Sequence, residues 1–188
     1  METVTGRRDE ATIVVCPLSQ VQRLSAELGV GHVLSLLGEP AKAITPKGIT
    51  DHLVVNVHDI VATNGTQILA ESVHVQQVID FARAWDGRQP MLVHCFAGIS
   101  RSTASAFIVA CVKQPGTDER EIAQAIRDAS VTASPNRHLV ALADELLGRD
   151  GRMVAAIERI GFGEPAPEGV PFTLRVAMPA ASAAGPAN

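Results

Sequence analysis

The sequence has only three cysteines, Cys16, Cys95 and Cys111. So small and odd a number builds no disulfide framework. Their spacing suits no zinc site, and a reducing cytoplasm is the expected setting for free thiols. No apolar run reaches the roughly 20 residues of a membrane helix. The polar start, METVTGRRDE, lacks the apolar core of a secretion signal. Positive charge is also scarce: three lysines stand beside 13 arginines, and the net charge is −4. That balance argues against broad binding to nucleic acid or anionic lipid, so an anionic ligand would have to be held by local cations. The lysine shortage, with abundant alanine, points to a GC-rich bacterial genome.

What remains is globular. In 188 residues, 46% are hydrophobic and 19% charged, enough for one domain with a core. Short apolar runs at 11–16, 33–37, 51–57 and 91–94 predict strands. Between the first two, 20–28 predicts a helix with Ser19 as cap and Gly29 as stop. Val75, Val78, Ile79 and Ala82 recur with helical spacing and predict an amphipathic helix over 70–85. A long apolar helix is expected from Ser102 to Val112, and a helix capped by Thr117 after it. Ser134-Pro135 should open another helix to Leu147, and 151–160 a last one. Strands alternating with helices imply an α/β single domain, a parallel-dominated central sheet with helices on both faces. The expected limits are a tail at 1–10, the domain at 11–162 and a Pro/Ala-rich tail at 163–188, with one short docked strand conceivable at 172–178.

One segment carries chemistry: His94-Cys95-Phe96-Ala97-Gly98-Ile99-Ser100-Arg101-Ser102, between a predicted strand and a predicted helix. Ligands of such sheets bind beyond the carboxyl ends of the strands. A loop there can turn successive N–H groups inward, and the helix N-terminus adds positive partial charge. Gly98 lets the backbone bend where a side chain would obstruct it. A thiol at the floor of this cradle is expected to ionise readily, because the field that holds an anion also favours a thiolate. Arg101 offers a planar fork to two phosphate oxygens, which a lysine could not match. A cysteine followed six residues later by arginine arises by chance in about one such sequence in five; the full pattern falls to about one in ten thousand.

These residues resemble the signature of the protein tyrosine phosphatase superfamily, His-Cys-(five residues)-Arg-Ser/Thr. HCFAGISRS looks most like the dual-specificity branch. Ser134-Pro135-Asn136 with Leu139 resembles that branch's segment before a late helix. The resemblance covers about residues 11–160. It implies Cys95 as nucleophile, with phosphate held by Arg101 and the loop N–H groups of Phe96, Ala97, Gly98, Ile99 and Ser100. It also implies Ser102 supporting the departing thiolate and His94 supporting the loop. The family's general acid is an aspartate on a loop some 30 to 40 residues earlier. Asp59, 36 residues before Cys95, fits best; Asp51, Asp80 and Asp86 fit less well by position. No metal or organic cofactor is implied.

Other residues keep two readings. Asn136 places substrate or starts a helix. Arg137 faces the mouth or, more in keeping with its neighbours, solvent. His52 and His58 share a strand face by parity, but nothing completes a metal site with them. Cys16 and Cys111 read as core, with a reversible disulfide protecting Cys95 as the lesser reading. The variable loop positions Phe96, Ala97, Ile99 and Ser100 carry no charge, which disfavours polyphosphorylated lipids. With no tyrosine and 3% aromatics, no aromatic wall can be identified, so a shallow, tolerant site is expected. The expected partner is a phosphorylated protein or a small phosphate monoester, with neither nucleic acid nor membrane. The alternatives are a lipid or small-molecule phosphatase, a phosphate-binding pseudophosphatase, or a rhodanese- or arsenate-reductase-like thiol enzyme. Oligomeric state is not legible.

Overall fold

The computed structural model describes residues 10–63 and 65–178. Residues 1–9 of the expected N-terminal tail lie outside the described residues, whereas Glu10 already belongs to a strand. That strand, β1 (Glu10–Pro17), shows how alternation sets the layers. Ala11, Ile13 and Val15 turn to one face of the sheet, Val14 and Cys16 to the other. β2 (His32–Leu36), β3 (Asp51–Val55) and β4 (Met91–Cys95) run parallel to it. With β5 (Phe172–Ala177) the order is β3-β2-β4-β1-β5. β4 lies between β2 and β1 and is buried at all five positions, so whatever follows Cys95 emerges mid-sheet, beyond the carboxyl ends of three strands.

The two faces are unequal. A single turn of 3-10 helix at Leu18–Gln20 and α1 (Val21–Glu27) serve one face, where Val21, Leu24 and Val30 meet Val14, Cys16, Val33 and Leu92. The other face carries α2 (Ser72–Ala84), α3 (Arg101–Lys113), α4 (Glu119–Ala129), α5 (Arg137–Leu146) and α6 (Arg152–Ile160). α3 is the central one. Its sequence, RSTASAFIVACVK, has small or apolar residues all round, and every residue but Val112 is buried. Ser105 Oγ of α3 is buried without a hydrogen-bond partner, but two buried charged groups on this face are matched. Lys113 donates to the carbonyls of Arg83 (3.1 Å) and Trp85 (2.5 Å) at the end of α2. Asp144 accepts from the N–H groups of Gly151, Met153 and Val154, so α5 caps α6.

Three expected caps are displaced by one or two residues. Asp118, not Thr117, caps α4, accepting from Arg120 N–H. Asn136, not Ser134, caps α5, its Oδ1 accepting from His138 and Leu139 N–H. Ser134 Oγ accepts instead from Gly163 N–H. The third, Ser19, lies in the 3-10 turn and donates to Glu168.

The expected boundary at 162 also falls short. β5 pairs antiparallel with β1 from Glu10↔Ala177 to Val15↔Phe172. Phe172, Leu174 and Val176 enter the core while Thr173, Arg175 and Ala177 face out. Strict alternation over six residues completes the sheet edge, so the strand conceived at 172–178 forms and belongs to the domain rather than to a tail. Residues 179–188 of that expected tail lie outside the described residues. No described helix is long and apolar enough to cross a membrane.

Candidate active site

Cys95 ends β4 and Arg101 begins α3, so the five residues between them must reverse direction in a small space. Gly98 makes the turn. Its φ is +73°, and a Cβ there would lie 2.6 Å from Pro17 N and 2.8 Å from the Cys16 carbonyl carbon. Both the backbone conformation and the β1 backbone therefore demand glycine.

The loop's carbonyls are tied outward. Phe96 O accepts from Leu18 N–H, Ala97 O from Gly169 N–H, Ile99 O from Ser134 N–H, and Ser100 O from Asn136 and Ala104 N–H. Across a trans peptide the next N–H points the opposite way, so the N–H groups of Ala97, Gly98, Ser100 and Arg101 turn toward the inside of the curl. Gly98 N–H does so measurably, donating to Cys95 Sγ at 3.3 Å. Ser102 Oγ lies 3.3 Å from the same sulfur. The sulfur thus sits under an arc of inward amides, at the N-terminus of a buried helix.

Arg101 closes one side. Only 8% of it is exposed; Nη1 donates to Val57 O at 2.9 Å, and Nε is buried with no hydrogen-bond partner. Asp59, in the loop after β3, stands 4.0 Å from that Nε through Oδ2. Its Oδ1 accepts from Ser100 Oγ at 2.7 Å and from Asn136 Nδ2 at 2.9 Å. With Oδ1 accepting two hydrogen bonds, Oδ2 is left as the oxygen free to carry a proton. Asp51 begins β3, and Asp80 and Asp86 pair with Arg83 and Arg88. Both readings of Asn136 hold at once: its oxygen caps α5 while its nitrogen fixes Asp59.

By strand parity Cys95 faces the helices and His94 the α1 side. There His94 belongs to a chain that sequence reasoning missed. Its Nδ1 is 3.3 Å from Cys95 O, which can only accept, so Nδ1 carries the proton. Nε2 then accepts from Ser35 Oγ at 2.5 Å, Ser35 Oγ accepts from His52 Nε2 at 2.7 Å, and His52 Nδ1 accepts from Thr45 Oγ1 at 2.7 Å. Burial pushes the His94 pKa down to about 4, aided by the charges of His52 and Arg101 and opposed by the Cys95 carbonyl. Burial lowers that of His52 as well. The chain is neutral near pH 7 and holds the Cys95 peptide in place. His58 is engaged elsewhere, accepting from Ile68 N–H and donating to Glu39 O, so it forms no pair with His52. Among the described residues no three His, Cys, Asp or Glu are gathered as a metal site.

Cys16 and Cys111 are core thiols. Burial pushes Cys16 up to about 12 and raises Cys111 too. Cys16 packs on the α1 side, opposite Cys95. Cys111 lies ten residues into α3, about 15 Å along the helix from Arg101. All three thiols are free, and neither position favours a bridge to Cys95.

Known structures share this fold over about three-quarters of the chain. Human DUSP28 superposes with a TM-score of 0.56 at 17% identity, over 73% of this chain and 92% of that one. The chain has the dual-specificity phosphatase fold. Human tyrosine phosphatase-like serine/threonine/tyrosine-interacting protein matches with a TM-score of 0.57 at 18% identity, over 73% and 92% of the two chains. PTPMT1 in complex with PI(5)P matches with 0.54 at 18%, over 73% and 90%. No protein-family model and no curated protein matches the sequence. The loop has a further brace that the motif does not announce. Gly169, in the segment leading to β5, donates to Ala97 O, and a Cβ on it would stand 2.9 Å from Gly98 O.

Proposed function

We propose that the chain is a cysteine-dependent phosphomonoesterase working through a phosphocysteine intermediate, with phosphorylated proteins as the leading substrate class. The supporting observation is the cluster itself: a sulfur contacted by Gly98 N–H and Ser102 Oγ, and a buried guanidinium whose Nε makes no hydrogen bond, with Asp59 Oδ2 4.0 Å away. An unpaired buried donor is costly unless a ligand satisfies it. A phosphoryl oxygen near Arg101 Nε would do so.

In this reading Cys95 Sγ attacks phosphorus, the S–P bond forms and the ester P–O bond breaks. The proton on Asp59 Oδ2 passes to the leaving oxygen. Arg101 and the inward amides hold the equatorial oxygens, and Ser102 Oγ stabilises the sulfur when it leaves again. A water then gives its proton to Asp59 and its oxygen to phosphorus. The S–P bond breaks, releasing orthophosphate and restoring the thiolate. His94 acts through the loop, not on substrate: with Ser35 it fixes the Cys95 carbonyl.

The uncharged loop positions Phe96, Ala97, Ile99 and Ser100 offer nothing to extra phosphates. They weigh against a polyphosphorylated lipid, although the PTPMT1 structure contains PI(5)P. The test is hydrolysis of an aryl phosphate by the pure protein and by Cys95→Ser. Wild type should turn over and trap a phosphorylated Cys95 in acid-quenched digests. Cys95→Ser should bind vanadate without turning over. Turnover by Cys95→Ser removes the nucleophile; anion binding without turnover by wild type leaves a binding module.

A further inference from the structure

Between β2 and β3 the chain runs through residues 37–50 without helix or strand. Loops of that length with no regular structure are uncommon in compact domains and usually serve function. This one is fastened at several points. Gln22 Nε2 donates to Ile44 O at 3.5 Å, Ala41 N–H to Gly38 O, and Thr50 N–H to Gly31 O. Two further ties lead to different halves of the active site. The first starts at Thr45, which is exposed. Its hydroxyl donates to His52 Nδ1 at 2.7 Å, and burial lowers the His52 pKa, so near pH 7 the ring is neutral and carries its one proton on Nε2. That tautomer donates to Ser35 Oγ, which directs the Ser35 hydrogen to His94 Nε2 and leaves His94 Nδ1–H for Cys95 O. Thr45 at the surface and the Cys95 carbonyl at the floor thus impose one direction on every hydrogen bond between them.

The second tie starts at Glu39. Its carbonyl accepts from His58 Nε2 at 3.2 Å, and His58 Nδ1 accepts from Ile68 N–H at 2.9 Å. Gly38 closes on the same ring: a Cβ there would lie 2.6 Å from His58 Cδ2. His58 stands between two residues that the site uses. Val57 O accepts from Arg101 Nη1 at 2.9 Å, and Asp59 Oδ2 lies 4.0 Å from Arg101 Nε. One surface segment, 38–45, therefore reaches the Cys95 peptide through four side chains and the Asp59 loop through one.

Resting on the phosphatase reading above, we infer that the 38–45 segment is a positioning element, with Thr45 and His52 setting the Cys95 peptide and His58 setting Asp59. None of the three touches substrate. Their effect is geometric. The sulfur must lie in line with the ester bond while Asp59 Oδ2 lies beside the leaving oxygen, and a displacement of about 1 Å can cost about 10²-fold in rate. Ser100 and Asn136 hold the Asp59 carboxylate itself. The 38–45 segment holds the backbone on which that carboxylate and the sulfur are carried, so that both reacting groups share one support.

The test uses the full chain and three readouts: hydrolysis of p-nitrophenyl phosphate, hydrolysis of phenyl phosphate, and carboxymethylation of Cys95 by iodoacetate at pH 7 with Cys95→Ser as blank. Thr45→Val and His52→Leu should lower kcat about tenfold on both esters with KM unchanged, and slow carboxymethylation about 3- to 10-fold. Thr45→Ser and His52→Gln, which keep the donors, should restore most of the loss. His58→Phe keeps a ring against Gly38 without its hydrogen bonds. It should lower kcat about tenfold more on phenyl phosphate, the poorer leaving group, than on p-nitrophenyl phosphate. Wild-type turnover and carboxymethylation in Thr45→Val overturn the tie to Cys95. Equal losses on the two esters in His58→Phe overturn the tie to Asp59. Losses that follow a lowered urea midpoint in every variant, with no rescue by Thr45→Ser or His52→Gln, reduce the segment to a support of the fold and overturn the inference. Wild type that hydrolyses neither ester overturns the phosphatase reading instead, and the carboxymethylation rates then decide the Cys95 tie by themselves.

Discussion

Lowering the pH from 7 to 4 should cost the fold about 3 kcal/mol through His94 alone. His94 is 1% exposed, and its pKa falls from 6.5 to about 4 on folding, mainly through burial. Above pH 6.5 the ring is neutral in both states and contributes no pH dependence. Between 6.5 and 4 the unfolded chain binds a proton that the folded chain refuses. Stability then falls by about 1.4 kcal/mol per pH unit and levels off once the folded ring also protonates. A difference of about 2.5 units gives about 3 kcal/mol. His52, lowered in the same direction, adds to the slope. The structural event is specific: Nε2 accepts from Ser35 Oγ, and a protonated Nε2 cannot accept. Urea titrations at pH 7, 6, 5 and 4 measure the effect in wild type and in His94→Asn. The variant should be less stable at pH 7 by about 1–3 kcal/mol for its imperfect hydrogen bonds. Its stability should then decline with acid less than that of wild type, so the two curves converge by about 3 kcal/mol. Parallel curves would refute both the pKa assignment and the tautomer chain.

Other outcomes test separate parts of the structure. Asp59→Asn should slow hydrolysis of poor leaving groups by about 10²–10³-fold, spare activated aryl esters, and flatten the basic limb of the pH–rate profile; wild-type kinetics would assign the acid elsewhere. Gly169→Ala should lower kcat/KM about 10- to 100-fold while leaving circular dichroism unchanged, because its Cβ presses on Gly98 O. Normal turnover would show that the brace has no influence on the loop. Asp144→Ala removes the acceptor of three N–H groups and should cost about 3 kcal/mol in urea unfolding. Lys113→Met strands two buried carbonyls at the end of α2 and should cost about 1–3 kcal/mol; a neutral result would mean water replaces the ammonium.

The strand and helix order was legible because it rests on local period and punctuation. The Cys95–Arg101 loop was legible because Cys95, Gly98 and Arg101 lie within seven consecutive residues. Asp59 could be chosen by position, but its hydrogen bonds could not. Ser100 and Asn136 reach it from 41 and 77 residues away, and nothing local in either predicts that meeting. The caps shifted for a related reason. Ser134 and Asn136 were both competent, and tertiary contacts decided between them: Gly163 claims Ser134, while Asp59 and the α5 amides claim Asn136.

The residues missed altogether share one cause, the order of the sheet. Because β4 inserts between β2 and β1, Ser35 of β2 stands directly beside His94 of β4 and completes a chain to His52 on β3. Because β5 returns antiparallel on the outside of β1, the segment before it must cross the carboxyl end of the sheet, where Gly169 reaches Ala97 of the Cys95–Arg101 loop. Phe162 begins that same crossing. A chain that ended at α6 would lack both the Ala97 brace and the Gly163–Ser134 tie. The Pro- and Gly-rich stretch that composition reads as a tail is therefore the part that both braces the Cys95–Arg101 loop and closes the edge of the sheet.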